Sequence, residues 1–131
     1  YAELDRRIRN RLPDARKYFW ENGGYMIIPA AKTKELMEEG RTLHHCVGAS
    51  GRYMKKMAEG KSWILFLRKK EEPQKPYYTI EISMEDDRII QYYSEFDRQP
   101  DKEAIDRVLA EFKKSLKRNR VQKRIPVAAT A

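Results

Sequence analysis

The run Leu43-His44-His45-Cys46-Val47-Gly48 gathers both histidines and the single cysteine of a 131-residue chain. Imidazole exchanges a proton near neutral pH, and a thiol becomes nucleophilic when a neighbour lowers its pKa. Proton transfer, thiol attack and zinc binding are therefore the chemistries to weigh. A zinc site draws its ligands from two segments, often with a spacing such as C-x-x-C. No second His or Cys cluster is present in the sequence, so no metal and no cofactor is assigned. A Cys46 nucleophile with an adjacent histidine base is disfavoured, because consecutive side chains on an extended loop diverge. By the same alternation His44 and Cys46 share one side of the loop and His45 takes the other. We expect one histidine to pack with Cys46 and His45 to face solvent or substrate, as the group that moves a proton.

Four residues further along could serve such a group. Arg68 closes an apolar strand over residues 63–67, where a guanidinium can clamp a phosphate with two parallel hydrogen bonds or simply be solvated. Glu81 stands between Ile80 and Ile82, on the face opposite their side chains and shared with Thr79. A hairpin that pairs Met84 with Arg88 puts Glu81 opposite Gln91 and makes a polar strip of Thr79, Glu81 and Gln91. A slip of one residue would separate them, and a solvated outer face is the competing use of the strip. With Tyr53 in support, the set suits a metal-independent nuclease or phosphoryl-transfer site: His45 or His44 as acid/base, Arg68 on the phosphoryl group, Glu81 and Gln91 assisting. Glu85, Asp86 and Asp87 read as turn residues rather than magnesium ligands.

The elements that must position these residues can be read from periodicity and punctuation. Residues 2–11 predict a helix with Leu4, Ile8 and Leu12 on one stripe. Pro13 opens a second helix through Tyr18, Phe19 and Trp20, ending at Asn22-Gly23-Gly24. Residues 25–28 form a strand ended by Pro29. Thr33 caps a short helix through Glu38 with Gly40 as its exit, the histidine run comes next as a loop, and another helix covers 50–58 up to Gly60. Residues 63–67 are apolar at every position, which suits a strand buried on both faces. After the Pro73 and Pro76 loop, strands at 78–83 and 89–93 make a hairpin. Pro100 and Asp101 open the last helix, with Ile105, Val108, Leu109, Phe112 and Leu116 on one face. The fold class is α+β, a small, mostly antiparallel sheet packed with helices at both ends of the chain. A single domain is expected over 1–125 (helices in 1–23, sheet core 25–94, helix 100–120), with a disordered tail at 126–131 and, since the chain opens on Tyr1, as a fragment of something longer.

Charge narrows the partners. The net charge is +8 with a sequence pI near 9.6, which favours nucleic acid, an anionic membrane surface or an acidic protein. Lys113, Lys114, Lys117, Arg118, Arg120, Lys123 and Arg124 succeed one another with no intervening acid. Along a helix they could track a phosphate backbone without reading sequence. Tyr77, Tyr78, Tyr92 and Tyr93 on the hairpin could stack on unpaired bases, or serve as sheet surface and core. One cysteine permits no intrachain disulfide, which fits a reducing cytoplasm, and no apolar run approaches the roughly 20 residues that span a bilayer.

The Leu-His-His-Cys-Val-Gly string, followed by Tyr53, Gly60, the apolar strand ending in Arg68, then Pro76, Thr79, Glu81 and Gln91, resembles the PcfJ-like family of conjugative plasmids, phages and related mobile elements. The matching stretch is roughly residues 40–98. One departure stands out: where the family pattern implies a glycine and then an asparagine after the strand glutamine, this chain has Ser94 and Asp97. The resemblance implies association with mobile DNA and with other mobile-element proteins; it brings no reaction with it. The leading expectation is a nucleic-acid-associated domain, with a non-catalytic adaptor in a conjugation or phage complex as the alternative.

Overall fold

The computed structural model describes residues 1–49 and 51–124, the last three of these by backbone alone. The tail expected from residue 126 lies outside the described residues. The chain divides into two compact units, Tyr1–Pro100 and Asp101–Ala131.

The first unit opens with α1 (Ala2–Ala15), which buries Ile8 and Ala15. It runs through Pro13 instead of breaking there. Pro13 is exposed and lies in the last turn, so the hydrogen bond it cannot make back to Arg9 is lost only at the helix end, and α1 stops two residues later. No second helix comes next. After a 3-10 turn at Arg16–Tyr18, the chain extends into β1 (Trp20–Asn22). Gly23, at φ +59°, reverses it into β2 (Tyr25–Pro29), so that Trp20 pairs Ile27 and Asn22 pairs Tyr25. The two-residue loop is Gly23-Gly24, a pair that signals a hairpin, and here it prevails over the aromatic run before it.

Helix α2 (Thr33–Leu43) continues well past Glu38, and Gly40 is inside it rather than at its exit. A Cβ on Gly40 would lie 2.9 Å from the His45 carbonyl oxygen, so the glycine serves a close approach of the histidine loop. Thr33 does not cap: its N–H and hydroxyl donate to Asp5 at 2.7 and 2.9 Å, tying α2 to α1. The helix ends at His44, which takes the left-handed conformation (φ 53°). Helix α3 (Arg52–Ala58) ends before Gly60 at φ +72°.

Strands β3 (Ser62–Lys69), β4 (Tyr78–Ser83) and β5 (Ile89–Tyr93) complete a five-stranded antiparallel sheet in the order β1-β2-β3-β4-β5. With the helices this is the α+β class expected. Central β3 is buried from Ser62 to Arg68, and β4 along its whole length. One face presents Ile27, Trp63, Leu65, Leu67, Ile80 and Ile82, all buried; the other presents Ser62, Ile64, Phe66, Arg68, Thr79 and Glu81 beneath α2 and α3. The hairpin closes differently from the Met84–Arg88 pairing anticipated. Ser83 donates its N–H to the Arg88 carbonyl at 2.8 Å, Ile82 pairs Ile89, and a bulge leaves Ile90 without a partner before Glu81 meets Gln91. A bulge inserts one residue and re-aims the side chains beyond it; here it sets Gln91 beside Glu81.

In the second unit, α4 (Lys102–Arg124) carries Ile105, Leu109, Phe112 and Leu116 at helical spacing.

Candidate functional site

The histidine loop takes its geometry from alternation. Leu43, His45 and Val47 are buried, whereas His44 and Cys46 are exposed. The division of sides is the one expected, but the occupants are exchanged: His45 points inward, because it shares its side with the two apolar residues of the run. His44 lies flat on Phe96, rings 4.7 Å apart. His45 meets the edge of the Tyr93 ring at 4.8 Å.

Inside, His45 enters a directed chain of hydrogen bonds. Its Nδ1 accepts from the Val47 N–H at 3.4 Å, which leaves the proton on Nε2 to donate to Thr79 Oγ1 at 2.8 Å. The Thr79 hydroxyl then donates to Glu39 Oε2 at 3.0 Å. Glu39 grips Arg68 in a two-pronged pair, Nη1 to Oε2 at 3.1 Å and Nη2 to Oε1 at 2.5 Å. Arg68 Nη1 also donates to the Leu67 carbonyl at 3.2 Å. Burial pushes the His45 imidazole below its ordinary pKa, against a smaller upward pull from its own backbone and from Asp97. Burial likewise pushes Glu39 up, and the Arg68 guanidinium and the Thr79 hydroxyl oppose it.

A second buried set lies two residues along β4. Glu81 accepts from Ser62 Oγ at 2.7 Å, Gln91 Nε2 at 3.0 Å and Lys56 Nζ at 3.5 Å. Gln91 Nε2 also donates to the Tyr53 hydroxyl at 3.1 Å. The polar strip of Thr79, Glu81 and Gln91 is therefore formed, with Thr79 and Glu81 buried. Tyr93 nearby is pushed far above the ordinary tyrosine value by burial, with Tyr53 and the carboxylates of Asp97 and Glu81 adding to it. Among the described residues every buried side-chain nitrogen and oxygen has a partner.

The residues singled out from sequence thus fall into two closed sets on one sheet face. His45 and Arg68 are joined through Thr79 and Glu39, and Glu81, Gln91 and Tyr53 are joined directly. Cys46, Tyr53 and Gln91 also line an open cleft of about 630 Å³ with Tyr92, Tyr93 and Asp97. His44 and Cys46 enter neither set. Three members of the sets were not foreseen: Glu39, Ser62 and Lys56. Glu39 had a signal, since Leu36, Glu39, Gly40 and Leu43 recur at helical spacing and all are buried, so the acid interrupts an apolar stripe. Ser94 and Asp97 fit their turn. Asp97 sits at φ 60°, a region that aspartate and asparagine both visit, and Ser94 is at φ −110°, which needs no glycine.

The cations of α4 lie on its later turns. Lys114, Lys117, Arg118 and Arg120 are exposed and Lys113 is half-buried, with Lys114 pairing Glu111 at 3.3 Å. The side chains of Lys123 and Arg124 lie outside the described ones. Among the described residues no group of three or more His, Cys, Asp or Glu is placed to hold a metal ion, and no helix is long and apolar enough to cross a membrane.

Comparison with known proteins agrees with the motif. A family model described as PcfJ-like protein matches residues 2–109. A protein of Listeria innocua serovar 6a, Lin1253/Lin1744, described as uncharacterized, is 42% identical over 57 residues, a stretch covering 44% of this chain and 12% of that relative. No solved structure matches. With the family model spanning most of its length, the chain belongs to the PcfJ-like family.

Proposed function

We propose that this chain is a nucleic-acid-associated domain of a mobile genetic element, that it holds phosphate through the basic end of α4, and that its histidine network is a clasp rather than a catalyst. The observation that carries the reading is the distribution of charge: seven cations and no acid after Phe112, on a helix that presents Lys117 and Arg118 to solvent. Such an array contacts phosphates without selecting sequence.

The clasp reading rests on occupancy. A general acid or base needs a nitrogen within reach of substrate, and both nitrogens of His45 are engaged by the protein. A phosphate clamp needs a guanidinium with free N–H groups, and Arg68 directs its two terminal nitrogens at Glu39. Phosphoryl transfer would require both partnerships to be surrendered together.

The test is fluorescence anisotropy with a labelled random-sequence oligonucleotide at low salt. Binding is expected, with a loss of about tenfold or more when Lys113, Lys117 and Arg118 become Glu. No binding at low salt sinks the nucleic-acid reading and leaves the adaptor. Cleavage of the oligonucleotide by the wild type, abolished in His45→Ala, would overturn the clasp.

A further inference from the structure

A second cleft lies beside the histidine loop, where the loop between β3 and β4 faces the turn after β5. It encloses about 530 Å³ and is lined by Lys69, Lys75, Tyr77 and Arg98 together with Leu43 and Pro100. We propose that it takes one nucleotide unit of an unpaired strand, the phosphate against Lys69 and Arg98 and the base against the Tyr77 ring. This rests on the nucleic-acid reading above and gives that reading a place for a base.

The lining combines two chemistries that a bare anion would not need together. Lys69 Nζ stands 4.6 Å from the centre of the Tyr77 ring and the Arg98 guanidinium 5.6 Å from that of Phe96, so each cation rests on a ring. Two acids also line the cleft: Glu72 is engaged by Lys75 at 3.6 Å, and Lys69 and Arg98 together outweigh Glu95. Leucine, two prolines (Pro76 and Pro100) and a tyrosine supply flat apolar surface beside the cations. Bases stack on such rings whatever their identity, and cations over a ring add to the attraction for an electron-rich partner. The size falls within the usual range for small-ligand clefts.

The walls are held in place before any ligand arrives. Ser94 donates its hydroxyl to the Tyr77 carbonyl at 2.5 Å, and its N–H to the Arg98 carbonyl at 2.7 Å, so one residue ties the tyrosine wall to the arginine wall. The Lys75 N–H closes the opposite loop on the Glu72 carbonyl at 3.0 Å. Ordered walls lower the entropy lost on binding.

The experiment uses two probes on the whole chain. In amide NMR spectra, thymidine 5′-monophosphate is expected to shift the signals of Lys69, Tyr77 and Arg98, and inorganic phosphate at the same concentration to leave Tyr77 in place. With an oligothymidylate at low salt, Lys69→Glu/Arg98→Glu is expected to weaken binding about tenfold and Tyr77→Leu about fivefold, with the far-UV circular dichroism of each unchanged. Phosphate that reproduces every shift overturns the base contact. Binding of the mononucleotide without the oligomer overturns the strand and points to a free nucleotide. Oligomer binding that survives both cleft variants yet falls on reversal of the α4 cations overturns the cleft and keeps the nucleic-acid reading. Failure of both probes to bind removes the two together.

Discussion

His45 acts on the fold through its neutral form. Its pKa lies below the ordinary value of 6.5 because burial disfavours the imidazolium. The unfolded chain therefore takes up the proton first as pH falls, and stability that is full above about pH 6.5 is lost as pH drops toward the folded value. Urea midpoints measured between pH 8 and pH 5 should decline through that range in the wild type and flatten in His45→Gln. At neutral pH, His45→Ala leaves Thr79 Oγ1 short of a partner and should cost about 1–3 kcal/mol. Arg68→Met should cost more, about 3–5 kcal/mol, because it strands the Glu39 carboxylate in the interior. Adding Glu39→Leu should restore part of that loss, and a double-mutant cycle reads the coupling. At this scale the sequence was informative about identity and less so about partnership. Strand arithmetic paired Glu81 with Gln91 from a Met84–Arg88 closure that the hairpin does not use, and it is the bulge at Ile90, invisible to that arithmetic, that brings the two together. The partner of Arg68 could not be read at all, because Glu39 is on a helix whose packing against β3 has no local code.

The elements depend on close approaches that only glycine permits. A Cβ on Gly48 would stand 2.6 Å from both the Leu36 carbonyl oxygen and the Met37 Cα, so the histidine loop rests directly on the α2 backbone. Gly48→Ala should destabilise by about 3 kcal/mol. Gly24→Ala, with nothing within 4 Å of its Cβ, should stay within about 0.5 kcal/mol. Thermal melts of the two variants side by side make the comparison. The same glycines mark where sequence reading succeeded and failed. Gly60 ends α3 because a left-handed residue ends helices. Gly40 carries the same letter but sits inside α2, placed by a contact with residue 45 that no helix rule anticipates. The all-apolar centre of β3 was legible because burial on both faces leaves a run with no polar position. β1 was not, since Tyr18-Phe19-Trp20 lacks either period and its pairing with β2 decides the matter.

For the whole molecule, the excess of eight positive charges sets how binding should respond to salt. Each phosphate contact by a cation contributes a slope of about −0.7 to −0.9 in log affinity against log salt. Reversing Lys113, Lys117 and Arg118 should therefore flatten that slope by about 2, which a titration from low to physiological salt measures. If affinity falls with no change of slope, those cations do not touch phosphate. The sheet itself has two outer strands, the three-residue β1 and the longer β5. An outer strand is a template on which a second copy can grow, and β5 offers the longer one. The bulge that leaves Ile90 without a partner bends this strand and interrupts its hydrogen-bonding rhythm, and Gln99 occupies the Tyr92 carbonyl at 2.9 Å. The residue that aligns Gln91 with Glu81 thereby also guards the sheet against aggregation by edge-to-edge stacking.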